Sequence, residues 1–224
     1  MNISGQREKT PGDGPPAGSA AEIEAPGMLP PDSELREIPP GRIAATPLRD
    51  GLDYWLSKQA SPPQSGDPAD HRLVGRLPAR ADLDPTEIPR LLPYVELTEV
   101  LDGGADFRFR LVGSHLVDTD QINPTGQRFS DFFRNPAYRA YQFGLYGWVV
   151  AQARPLYSSS RIPLPTRRLD ALTKRLYLPL SGDGRSVDMI LNFQICEGVA
   201  DSGLELEAVL DPSSGESFVA TLRL

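Results

Sequence analysis

The chain has 224 residues with a net charge of −7 and a sequence pI near 4.9, and it carries no block of clustered Lys and Arg of the kind that phosphate backbones and anionic membranes require. Nucleic acid and membrane are therefore excluded as default partners. The single cysteine, Cys196, allows no internal disulfide and fits a reducing compartment. Neither a secretory leader nor a run near the ~20 apolar residues of a membrane span is visible, so the expected address is cytoplasmic.

Of the first 47 residues, nine are Pro, six are Gly and none is aromatic. Such a segment cannot bury enough apolar surface to offset roughly 1–2 kcal/mol of ordering entropy per residue, so residues 1–46 read as a disordered arm. The charges divide the same way: the centre of the chain is nearly neutral and the acidic balance sits in its two ends.

Thr46-Pro47 looks like a helix start, and Leu48, Leu52, Trp55, Leu56 and Gln59 follow at helical spacing, giving an amphipathic helix over 47–60. A helix that short is marginal alone and must dock on something. A linker, SPPQSGDPAD, follows. Asp84-Pro85-Thr86-Glu87 is a second capped start, cut short by Pro89 and Pro93. The period then changes to two. YVELTEVL (94–101) and FRFRLV (107–112) read as strands joined by Asp102-Gly-Gly into an antiparallel hairpin. Strict alternation places Phe107, Phe109 and Leu111 on one face and Arg108, Arg110 and Val112 on the other. Gly113 marks a bend or a close backbone approach.

Residues 114–134 are polar and turn-rich, with a short buried helical turn at Phe129, Phe132 and Phe133. Asn135-Pro136 opens the longest helix, to about Ala153, with Tyr138, Tyr141, Leu145, Trp148 and Val149 on one stripe. Three more strands are expected at 155–164, 171–180 and 187–196. In the last of them Val187, Met189, Leu191, Phe193 and Ile195 share a face. The tail, 199–224, is acidic; its SFVATLRL segment either adds an edge strand or stays loose.

Strand, strand, short helices, long helix and three strands is an order that resembles the PAS (Per-Arnt-Sim) fold. More narrowly, LPARADLDPTEIPRLLPYVELTEV, the element Phe109-Arg-Leu-Val-Gly113, NPTGQRFSDFF and the upstream tryptophan-bearing LRDGLDYW look like the divergent single-domain PAS proteins of alphaproteobacteria. Ser114 stands where that group has Thr, and Gln121-Ile-Asn-Pro-Thr-Gly-Gln127 keeps only the Thr-Gly of its usual following element. The likeness spans residues 48–196. It implies an α+β fold, a five-stranded antiparallel sheet in the order 2-1-5-4-3 with helices on one face, over about 61–198.

The resemblance also implies a cavity between sheet and helices, lined on the parity above by Phe109, Leu111, Tyr141, Leu145, Trp148, Leu176, Leu191 and Phe193. The alternative is that these side chains are simply core. Arg110 either clamps an anionic ligand group or ties the sheet to a structural carboxylate. His71 and His115 have no metal-ligand neighbour at helical spacing, and Asp118, Asp120 and Asn123 miss the calcium-loop pattern. Metal is thus not expected. Haem lacks an axial His in the long helix or sheet, and photoreactive flavin lacks a helical Cys. No GxSxG elbow or His-based general base points to an enzyme. The expectation is a bacterial, stand-alone sensor or adaptor acting through a signalling partner, homodimeric through Leu48, Leu52, Trp55 and Leu56. A ligand-free interaction module and an enzyme with an unfamiliar site are the alternatives.

Overall fold

The computed structural model describes residues 35–59, 77–164, 169–198 and 218–223. The disordered-arm reading for residues 1–34, the linker over 60–76 and most of the acidic tail lie outside the described residues.

Seven strands form one sheet. In chain order they are β1 (Leu35–Ile38), β2 (Val95–Leu101), β3 (Asp106–Val112), β4 (Leu156–Leu164), β5 (Leu169–Leu180), β6 (Met189–Gly198) and β7 (Phe218–Leu222). They lie side by side as β1-β7-β4-β5-β6-β2-β3. The five expected strands are all present, antiparallel and in the expected order, since β3-β2-β6-β5-β4 is 2-1-5-4-3 when counted among themselves. The count of five is corrected to seven by the two ends of the chain. Strand β7 pairs antiparallel with β4, and β1 pairs parallel with β7. Residues 35–46, assigned to the arm from composition, thus hold an edge strand and a 3-10 turn at Pro40–Arg42. Glu37 clips this edge through Arg154 at 3.2 Å and Arg223 at 3.1 Å.

The helices are α1 (Thr46–Ser57), α2 (Ser114–Asp120), α3 (Phe129–Phe132) and α4 (Pro136–Gln152). Asn135 caps α4 by accepting from the Tyr138 N–H at 2.9 Å, as its position before proline foretells. The helices do not share one face of the sheet. Helix α4 and the short helices cover what we call the inner face, and α1 covers the outer one. The outer position of α1 is fixed by contact: Gly51 lies against the Phe193 ring, and the Trp55 indole N–H donates to the Pro179 carbonyl at 3.0 Å. Leu48, Leu52 and Trp55 are fully buried within the chain, each such side chain contributing about 2–3 kcal/mol of burial. The far end of α1 is pinned by Lys58 to Glu87 at 2.5 Å and by Tyr54, whose hydroxyl accepts from the Asp84 N–H at 2.8 Å. The docking that a marginal helix requires is therefore met inside one chain. The stripe expected to pair two chains is occupied by the sheet's own outer face, and only Leu56 keeps partial exposure.

Two details of β3 shape the region beside the inner face. Its ladder with β2 slips by one residue: Leu97 pairs with Leu111, but Thr98 pairs with Phe109. Arg110 is the extra residue of a β-bulge. The bulge breaks the alternation read from the sequence. Phe107 and Phe109 point inward, while Leu111 falls on the outer side and is 42% exposed. Beyond the bulge, Gly113 does make the close approach its position suggests, because a Cβ there would lie 2.3 Å from the Pro93 carbonyl oxygen. The free edge of β3 is partly covered by the Asn123–Gln127 reversal, through Phe109 N–H to Gln127 O at 3.1 Å and Gly126 N–H to Phe109 O at 2.7 Å.

Candidate functional site

Strand parity decides which side chains meet α4. Asn192 donates to the Tyr146 hydroxyl of α4 at 3.1 Å, so the even-numbered residues of β6 face inward. Their ladder partners follow: Glu96 and Thr98 on β2, Thr173, Arg175 and Tyr177 on β5, and from β5 onward Ser158 and Ser160 on β4. The inner face is therefore polar across four adjacent strands. All of these side chains are buried. From α4, Tyr138, Tyr141, Gln142, Leu145, Tyr146 and Val149 recur every three or four residues and form the opposing wall.

The expected lining residues are consequently split between places. Phe109, Tyr141 and Leu145 lie on the α4 side, with Trp148 buried in the same core. Leu176, Leu191 and Phe193 are on the outer face under α1, since Leu176 pairs with Phe193 and Leu178 with Leu191. Leu111 is at the exposed outer edge. Arg110, also exposed, reaches Glu99 at 3.8 Å beside Arg108 at 3.6 Å. These face assignments are corrected by a single physical fact. The sheet is buried on both sides, and its more apolar side is the one under α1, not the one under the long helix.

One end of the inner space is closed by aromatics. Phe107 and Phe109 from β3 pack with Phe129, Phe132 and Phe133, with ring centroids 4.5–6.0 Å apart, and Tyr146 joins at 4.8 Å from Phe129. This end is aromatic core.

Next to it stands a hydrogen-bonded chain. Tyr146 donates to Glu96, whose same oxygen accepts from Thr98 at 3.1 Å, and Asn192 donates to Tyr146. Burial raises the Glu96 pKa above the usual carboxylate value, against the lowering by the Tyr146 bond, the charge of Arg175 and the Thr98 bond. Burial and the facing Glu96 raise Tyr146 well above an ordinary phenol.

At the far end lies Arg175. Its Nε donates to Gln194 at 2.5 Å and its Nη2 to the Tyr138 hydroxyl at 3.3 Å. Burial opposes its charge, but the facing oxygens of Tyr138, Tyr177 and Tyr146 outweigh it and raise the pKa well above the usual guanidinium value. The group is cationic. Burial likewise raises Tyr138, Tyr141 and Tyr177, so the phenols are neutral hydroxyls. Arg175 Nη1, Gln142 Nε2 and Asn192 Oδ1 have no hydrogen-bond partner, and Ser160 Oγ and Tyr141 OH have none of ordinary length and angle, although the Ser160 and Ser158 hydroxyls lie close enough to Tyr141 to lower its pKa against burial. Their residues are 8% exposed or less, apart from half-buried Tyr141. Buried polar groups are almost always satisfied, so Arg175 Nη1, Gln142 Nε2 and Asn192 Oδ1 together call for an occupant.

Sequence reasoning missed Arg175, Asn192, Gln194, Glu96, Gln142, Ser158, Ser160 and Thr173. The signal was present, because four strands each carry two polar residues spaced by two, Glu96/Thr98, Ser158/Ser160, Thr173/Arg175 and Asn192/Gln194, with Ser158 opposite Arg175, Ser160 opposite Thr173, Gln194 opposite Arg175 and Asn192 opposite Glu96. His115, by contrast, packs its ring against Tyr94, tilted by 48° at 4.7 Å between centroids. Among the described residues no group of His, Cys, Asp and Glu is placed to hold a metal ion, and no helix is long and apolar enough to cross a membrane.

A family model described as PAS domain matches residues 46–193. Comparison with curated proteins and with solved structures finds no match. The matched span begins at α1 and ends in β6, so the outer-face helix lies inside the family's unit, and β1 and β7 lie outside it.

Proposed function

Because this chain belongs to the PAS domain family, a family of sensory and interaction modules, we propose that it is a signalling sensor that holds a polar small molecule between α4 and the inner face of the sheet. A protein partner receives the signal. The observation that carries the reading is the set of buried polar atoms without a partner on the two layers: Arg175 Nη1 and Asn192 Oδ1 on the sheet and Gln142 Nε2 on the helix. A module that filled its own interior with side chains would leave such groups either paired or replaced by apolar ones. Lining by Tyr141 and Leu145 is retained from the sequence expectation. Arg175, Gln142, Ser160 and Asn192 replace Leu176, Leu191 and Phe193.

Native mass spectrometry of the full chain, purified gently into volatile buffer, tests this. The sensor reading predicts an additional mass of a few hundred daltons or less, lost on denaturation. A protein of bare polypeptide mass, with no ligand restored by incubation in cell extract, would leave an interaction module without a ligand.

A further inference from the structure

The donors and acceptors around Arg175 are unbalanced, and the imbalance has a chemical meaning. A guanidinium offers five N–H donors and no acceptor. Gln194 and Tyr138 occupy Nε and Nη2, and Nη1 donates to nothing. Gln142 Nε2 is a further donor without an acceptor, and the Ser160 and Tyr141 hydroxyls can each turn to donate. The donor-only groups are thus Arg175 Nη1 and Gln142 Nε2 against one acceptor-only group, Asn192 Oδ1, while the two hydroxyls can act either way. They occupy neighbouring positions: Arg175 is opposite Ser158 in the β4–β5 ladder, Ser160 is two residues along the same inner row, and Gln142 is one helical turn beyond Tyr138, which Arg175 contacts.

The charge is faced by phenol oxygens and, without contact, by Glu96. Among the described residues no carboxylate lies within ion-pairing distance of Arg175. Glu96 senses its charge, but the Glu96 oxygen is engaged by Tyr146 and Thr98. Asp120 also faces this region from α2, where it acts on Glu96 and Tyr138, and it is only half-buried. A buried cation without a contacting anion is costly. Doubly charged phosphate would need more than this one cation, and the N-terminal amide of α4 at Tyr138 is already taken by Asn135.

We infer that the ligand is a small organic carboxylate whose anionic group lies on Arg175 Nη1 and takes further hydrogen bonds from Ser160, Tyr141 and Gln142. This rests on the sensor reading above and adds the ligand's class. A carboxylate brings about four lone-pair sites and no donor, which suits the donor-only Arg175 Nη1 and Gln142 Nε2 and lets both hydroxyls donate.

The test has two arms on the full chain. In the first, material released by denaturing wild-type protein is separated and classified by mass spectrometry as acidic, neutral or cationic. In the second, thermal unfolding is followed at fixed ionic strength with acetate, succinate, benzoate and phenylacetate, with the amide of each, and with inorganic phosphate. The account predicts an acidic released molecule and stabilisation by at least one acid but not by its amide or by phosphate. Arg175→Gln weakens that binding about tenfold or more, the scale of a hydrogen bond to a charged group. Ser160→Ala and Gln142→Leu weaken it several-fold with unchanged circular dichroism. Should Arg175→Gln not fold, those two variants decide, and wild-type affinity in both overturns the inference. A neutral or cationic ligand bound equally by Arg175→Gln overturns the carboxylate class and leaves the sensor reading standing. No released molecule and no effect of any probe overturns both.

Discussion

Gly51→Ala separates a docked α1 from an undocked one by the sign of its effect. A Cβ at this position would fall 2.4, 2.5 and 2.7 Å from three carbons of the Phe193 ring, whereas ordinary contact begins near 3.4 Å. Phe193 is fully buried and in the ladder, so its ring has no room to retreat. The helix must instead lift by up to about 1 Å, and a gap of that size forfeits a quarter to a half of each lost dispersion contact at Leu48, Leu52 and Trp55. Overpacking of this kind costs about 2–3 kcal/mol. Alanine's better helix propensity returns about 1 kcal/mol. The net expectation is about 1–2 kcal/mol of destabilisation, or a midpoint lower by about 2–8 °C for a chain of this size. Urea unfolding followed by tryptophan fluorescence measures it. In a Phe193→Ala background the penalty should vanish and the propensity gain emerge, while Gly41→Ala, whose Cβ meets nothing within 4 Å, should be near neutral. A Gly51→Ala protein as stable as wild type, or more so, would show that α1 does not lie on Phe193.

Trp55→Phe leaves the buried Pro179 carbonyl without its donor and should cost about 2–3 kcal/mol in the same unfolding assay; a loss under about 0.5 kcal/mol would deny that bond. Because burial raises the folded-state pKa of Glu96 above its unfolded value, the folded chain holds the proton longer, and stability falls as pH rises from the ordinary carboxylate range through the raised folded value. Glu96→Gln, which keeps an acceptor for Tyr146, should flatten that fall; an unchanged pH profile of urea midpoints would contradict the assignment. Asp183 is held down to about 2 by the backbone N–H groups of Ser186 and Arg185 in the β5–β6 turn, with Ser181 and Ser186 hydroxyls assisting. Its carboxyl carbon should therefore titrate near 2 by NMR, and a midpoint near 3.8 would mean that the turn is open.

Local signals were the most legible. Asn135-Pro136 announced α4, Gly113 announced a close approach, and Asp102-Gly-Gly announced the hairpin, each through chemistry confined to a few neighbouring residues. The order of the five central strands followed from the resemblance. Three things were hidden, each for a non-local reason. Residues 35–38 read as arm because a four-residue strand owes its order to β7, nearly two hundred residues away. Leu111 read as core because a bulge inserts one residue and leaves no trace in the alternation. The site was assigned to Leu176, Leu191 and Phe193 because apolar side chains were matched to the long helix. Periodicity gives the two faces of a strand but not which layer covers which, and in this chain the outer layer is the amphipathic α1. The polar pairs on four strands are legible only once the ladder aligns them.

The central claim is that the polar face under α4, and not the apolar face under α1, is where a ligand acts. Hydrogen–deuterium exchange of the purified chain against the same chain stripped by unfolding and refolding tests it most directly. The account predicts severalfold faster exchange after stripping in Pro136–Gln152 and Leu169–Leu180, with Thr46–Ser57 unchanged. Identical protection before and after stripping, or a change confined to Thr46–Ser57, would contradict it.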